Sequence, residues 1–116
     1  MTTTMITASL LLNIAVLVPV CTGILRDADW ARAAYGPRSP ARGILLSIYL
    51  AILGVSALLL ARPLPQAVAA LLVVQIIYKV TTPFTVGTLR NPVVVSNLLI
   101  AAVHVVTVGL IWRAVI

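Results

Sequence analysis

The sequence predicts an all-α, membrane-embedded antiparallel four-helix bundle, with a short interfacial helix in its first loop. Three observations carry that expectation. Hydrophobic residues make up 62% of the chain and charged residues 9%, against about 45–50% and about 25% in a soluble domain; the mean hydropathy is +1.19. The apolar residues gather into four runs, each near the ~20 residues that cross a hydrocarbon core. The runs are joined by short connections, which makes neighbouring spans antiparallel. The 116 residues read as a single integral membrane domain.

The first span is expected over about residues 5–25. No Lys or Arg precedes it and no small-x-small site closes it, so it lacks the marks of a cleaved signal. Cys21 follows Val18-Pro19-Val20, without the small residue a lipid-attachment cysteine needs before it, and reads as an ordinary helix residue. Pro19 predicts a kink. In the first loop, Asp27 and Asp29 precede Trp30-Ala-Arg-Ala-Ala-Tyr35 as the acidic first turn of a short helix that Gly36-Pro37 stops. Trp30, Tyr35 and Arg42 are expected as interfacial anchors here, and Trp112 at the far end of the last span.

Ser39-Pro40, a cap followed by proline at the first helical position, opens the second span, about 40–61, and Arg62-Pro63 ends it. Leu64-Pro65 opens the third, about 65–80. Thr82-Pro83 predicts a break after it, with Thr81, Thr82, Thr85 and Thr88 available to the backbone groups the break frees. Asn91-Pro92 repeats the cap-plus-proline start for the fourth span, about 92–112.

Arg26, Arg32, Arg38, Arg42, Lys79 and Arg90 fall on one side of these spans, and Arg62 and Arg113 on the other. The positive-inside rule then puts the first and third connections in the cytoplasm and both termini outside an inner membrane. The net charge of +6 is a topology signal and an attraction to anionic lipid, not the dense basic patch of a nucleic-acid binder.

Within spans the informative residues are the small and the polar ones. Gly43, Ser47, Ala51, Gly54 and Ala57 recur at four- and three-residue spacings on the second span, a stripe expected to pack against another helix. At 1.5 Å per residue, Asn13 and His104 lie about 12 Å from the outer ends of their spans and Gln75 about 15 Å, near the bilayer midplane. Tyr78, Lys79 and Asn97 fall nearer the cytoplasmic face. These six residues predict a polar seam, and they are the candidate ligand contacts; the competing reading is interhelical hydrogen bonding, with Lys79 snorkelling to the headgroups.

The same inventory excludes function classes. The only acids, Asp27 and Asp29, lie in the first loop, and the chain has no Glu, one His and one Cys. That leaves no catalytic acid–base pair, no internal disulfide, no metal site and no bis-histidine haem within one chain. Proton-coupled exporters of the small multidrug resistance family need a glutamate in the first span, which is missing. Neither an enzyme nor a bound cofactor is expected; a lipid or quinone-like ligand is compatible with the spans.

SPARGILLSIYLAIL, Ser39 to Leu53, and VQIIYK, Val74 to Lys79, resemble segments of small bacterial four-helix membrane proteins broadly similar to the DoxX-like group. The resemblance covers mainly the second and third spans and departs at Thr81-Thr-Pro-Phe84. It implies the four-helix fold and no particular activity. Two functional readings remain: a non-catalytic bundle that binds a partner or a lipid-like ligand, as an accessory subunit or homo-oligomer in the bilayer, and a small oligomeric transporter or channel that uses the polar seam.

Overall fold

The computed structural model describes residues 1–115. It is built of α1 (Thr2–Leu25), α2 (Asp29–Tyr35), α3 (Pro40–Ala61), α4 (Pro65–Val86) and α5 (Pro92–Val115). The four long helices are each long and apolar enough to cross a membrane, and the bundle is 43 Å along its longest axis. α1 and α5 form the centre: α1 packs against α3 on one side and α5 on the other, α5 packs against α4, and α3 barely meets α4.

The caps read from the sequence are present. Ser39 Oγ accepts the Arg42 amide at 3.1 Å, and Asn91 Oδ1 accepts the Val93 amide at 2.9 Å, each satisfying a first-turn N–H that has no partner within its helix. Gly36 and Gly87 end α2 and α4 with φ of 87° and 85°, values that favour glycine because it has no Cβ.

Four expectations are corrected at the level of the fold. α1 begins at Thr2, not Met5, and runs through Pro19. α4 does not break at Thr82-Pro83 but continues to Val86. Proline has no N–H to give the Lys79 carbonyl one turn earlier; Thr82 Oγ1 donates to that carbonyl instead, at 2.7 Å. The threonine beside the proline therefore carries the helix across a position where a break was expected.

The third correction concerns α3. Its buried face is Arg42, Tyr49, Ile52, Ser56 and Leu59, not the small-residue stripe. Gly43, Ser47, Ala51, Gly54 and Ala57 are all exposed, and a Cβ at Gly43 or Gly54 would meet nothing within 4 Å. At about 100° per residue the stripe centres roughly 170° round the helix from the buried face, so it points away from the core.

Apolar clusters pack both ends of the bundle. Near the termini, Ile6, Leu10, Leu59, Val68, Leu72 and Ile111 bring together all four long helices. Near the first loop, Leu17, Cys21, Ile24, Ala31, Tyr49 and Ile52 join α1, α2 and α3. Arg42 secures this second end, so it is an internal latch and not the interfacial anchor expected. Its guanidinium is almost fully buried and donates to Asp27 Oδ1 at 2.8 Å and to the Gly36 carbonyl at 2.9 Å. Asp27 also holds Arg32 at 2.7 Å, with Arg38 at 3.6 Å. The Arg42 hydrogen bond, helped by Arg32, keeps the Asp27 carboxyl below its ordinary range.

Candidate functional site

The six seam candidates all turn inward. Asn13, Gln75, Lys79, Asn97 and His104 are buried, and Tyr78 is half-buried. They do not form one continuous seam. They divide into a closed layer toward the termini and a cavity-facing group toward the loops.

The closed layer centres on His104, which is wholly buried. Its Nε2 lies 2.9 Å from Asn13 Oδ1, and its Nδ1 3.2 Å from Ser9 Oγ. Because Asn13 presents an acceptor, the network assigns the proton of the neutral ring to Nε2, and Nδ1 then accepts from Ser9. Thr107 Oγ1 sits 2.7 Å from Ser9 Oγ, and Asn13 Nδ2 donates to Ser56 Oγ at 3.1 Å. The result is a five-residue chain, Thr107–Ser9–His104–Asn13–Ser56, that links α5, α1 and α3. Both ring nitrogens are engaged within the protein, which makes His104 a structural crosslink.

Ser9 and Thr107 are visible from the sequence beside Asn13 and His104, whereas Ser56 is not an evident member of the seam. The signal for Ser56 is its spacing, seven residues after Tyr49 and four after Ile52, on the face of α3 that faces α1.

The second group is less satisfied. Lys79 does not snorkel outward: its residue is 5% exposed, and its ammonium reaches the Asn97 Oδ1 at a long 3.4 Å and lies 4.9 Å from the Tyr78 ring centroid. Among the described residues, no carboxylate comes within ion-pair range of it. Asp27 is held by arginines, and Asp29 is exposed at the start of α2. An ammonium taken out of water without a counter-ion carries an effective penalty of several kcal/mol, and a neutral amide offsets only part of it.

Two further polar atoms in this part of the molecule, Tyr78 Oη and Gln75 Nε2, are buried and have no hydrogen-bond partner among the described residues. Gln75 lies one helical turn from Lys79, between the two groups, and among the described residues no hydrogen bond joins them.

Lys79 and Tyr78 open on a cavity of about 220 Å³ between α1, α4 and α5, with Trp30 and Tyr35 of α2 on its walls. Ser96 and Asn97 supply the polar side of α5, and Val16, Leu17 and Val20 line it from α1. Tyr35, expected at the headgroups, instead stacks edge-on against Tyr49 with ring centroids 6.1 Å apart, and both line this cavity. Trp30 is half-exposed, and Trp112 is exposed at the opposite end of the bundle.

Trp30 is seated by Gly23. Any Cβ at that position would overlap the indole ring, so glycine is what allows α2 to fold back onto α1 and wall the cavity. Among the described residues, no group of three or more His, Cys, Asp or Glu side chains is placed to hold a metal.

Comparison with known proteins gives no match to a family model, a curated protein or a solved structure. The functional reading therefore stands on the geometry of this chain.

Proposed function

We propose that this multi-pass membrane protein is a non-catalytic binding bundle, and that its ligand is an amphiphile held in the cavity beside Lys79. The observation that carries this reading is a buried ammonium that has no counter-ion among the described residues, next to a Tyr78 hydroxyl that has no partner among them, on the wall of a cavity that is mainly apolar apart from Ser96 and Asn97. Buried polar groups are normally satisfied, and a polar head entering this cavity would complete the hydrogen bonding that the chain leaves open. The half-buried Val16, Val20 and Val93 would guide the apolar remainder outward between α1 and α5.

Native mass spectrometry of the protein released from membranes into mild detergent tests the proposal. A co-purifying amphiphile that is depleted by Lys79→Gln or by filling the cavity with Ser96→Phe supports it. A ligand-free protein that takes up no added amphiphile refutes it.

A conducting route is the weaker reading. Within one chain, the His104 layer and the apolar cluster around Leu10 and Ile111 close the path from the cavity to the termini. A transporter would need its route to lie between copies.

The proposed setting is an inner membrane with the termini outside and the α1–α3 and α4–α5 loops in the cytoplasm. With Arg42 and Lys79 internal, the exposed bases are Arg26, Arg32, Arg38 and Arg90 at the loop end against Arg62 and Arg113 at the other, so the charge bias keeps its direction. Single cysteines at Thr3 and Thr88 in a Cys21→Ser background, labelled with an impermeant maleimide on intact cells, should react at Thr3 only; labelling at Thr88 alone would reverse the orientation.

A further inference from the structure

We infer that the group received beside Lys79 is an oxyanion, the carboxylate or phosphate end of an amphiphile approaching from the loop end of the bundle. The inference rests on the binding reading above and specifies its chemistry. A neutral carbonyl or hydroxyl would accept a hydrogen bond from Lys79 but leave its charge uncompensated. An oxyanion does both, and charge-assisted hydrogen bonds are the stronger kind.

Four features of the cavity agree on the sign. Lys79 keeps ammonium N–H groups free, since its one hydrogen-bonding partner is Asn97 Oδ1 at 3.4 Å. Tyr78 Oη, buried and unpartnered, is a further donor from the same helix. The wall opposite is the first two turns of α5, from Pro92 to Asn97, the helix end whose partial charge is positive. The adjoining cavity of about 480 Å³ shares Trp30, Pro92 and Val93 with the first and is lined by Arg90. A basic residue therefore stands at the outer cavity and another at the inner one. Both of the chain's acids lie elsewhere, Asp27 under three arginines and Asp29 on the surface of α2.

The test uses the full chain in non-ionic micelles, with Trp112→Phe so that Trp30 alone reports from the cavity wall. The probes are a medium-chain fatty acid brominated on its chain, the alcohol and the alkyl phosphate of the same brominated chain, and inorganic phosphate as competitor. The expected result is quenching of Trp30 at about tenfold or more lower micellar concentration for the acid and the alkyl phosphate than for the alcohol. Lys79→Gln should erase that preference and Lys79→Arg should retain it.

Equal quenching by acid and alcohol overturns the oxyanion inference and leaves the binding reading standing. No saturable quenching by any of the three amphiphiles overturns both. A preference that survives Lys79→Gln places the oxyanion elsewhere and overturns the inference as well. Inorganic phosphate that displaces the alkyl phosphate in a Lys79-dependent way supports the same chemistry with a free oxyanion as its source; failure to displace supports the headgroup of an amphiphile. Should Lys79→Gln lose its fold, the acid-to-alcohol comparison in the Lys79 protein and the Tyr78→Phe variant, expected to weaken the acid more than the alcohol, decide the matter.

Discussion

Removing the His104 imidazole separates the structural from the ligand-binding reading of the closed layer. The ring makes two side-chain hydrogen bonds, to Asn13 at 2.9 Å and to Ser9 at 3.2 Å. Side-chain hydrogen bonds within membranes average about 0.6 kcal/mol and reach about 1.7. His104→Leu, which keeps most of the volume, should therefore destabilise the bundle by about 1–3 kcal/mol, roughly 5- to 150-fold in the unfolding equilibrium. The assay is unfolding by a denaturing detergent titrated into mixed micelles and followed by circular dichroism. The bond itself is isolated by a double-mutant cycle with Asn13→Leu, where a coupling of about 0.6–1.7 kcal/mol is expected. Oxyanion binding beside Lys79 should be unchanged in every folded member of the cycle. A coupling within about 0.3 kcal/mol of zero, or loss of ligand from a folded His104→Leu protein, would refute the assignment of His104 to structure.

Thr82→Val removes the hydroxyl that replaces the missing Pro83 N–H at the Lys79 carbonyl; a destabilisation of about 1–3 kcal/mol in the same titration is expected, with Thr82→Ser largely restoring it. Gly23→Ala places a methyl where the Trp30 ring sits, so Trp30 emission in the Trp112→Phe background should shift to the red as α2 leaves α1, while helix content stays the same. The Asp27 latch should depend on pH. Its carboxyl is held below the ordinary range by Arg42, so the stabilisation is fully present above the ordinary carboxylate value of about 3.9 and is lost as pH falls through the lower folded value. Trp30 fluorescence should accordingly be flat from neutral pH down to about 5 and change only on stronger acidification, and Asp27→Asn should abolish that change.

The fold was largely legible because lipid leaves few choices. Apolar runs of spanning length, with Ser39-Pro40, Leu64-Pro65 and Asn91-Pro92 at their starts, define the helices almost by themselves. What could not be read locally was decided by partners distant in the chain. The end of α4 was missed because a proline signals a break, whereas a neighbouring hydroxyl can replace the bond it removes. Arg42 looked like a headgroup anchor because nothing in its own segment says that Asp27, fifteen residues away, folds back to meet it. The small stripe on α3 was conspicuous by spacing, but the helix orients by its bulk, through Tyr49, Ile52 and Leu59. Ser47 is exposed, whereas Asn13, Gln75, Lys79, Asn97 and His104 lie buried between the helices. Their division into a closed layer and an open one depends on which acceptors lie opposite, information that no single helix contains.

The central position of α1 and α5 has a consequence for how the protein comes to be made. Ser9 and Asn13 are synthesised well before their partners Thr107 and His104, which follow 98 and 91 residues later. Until α5 arrives, Ser9 lacks both Thr107 and His104, and Asn13 has Ser56 of α3 but not the His104 ring. The cavity beside Lys79 therefore closes only once α5 has joined α1 and α4, since α5 supplies one of its walls.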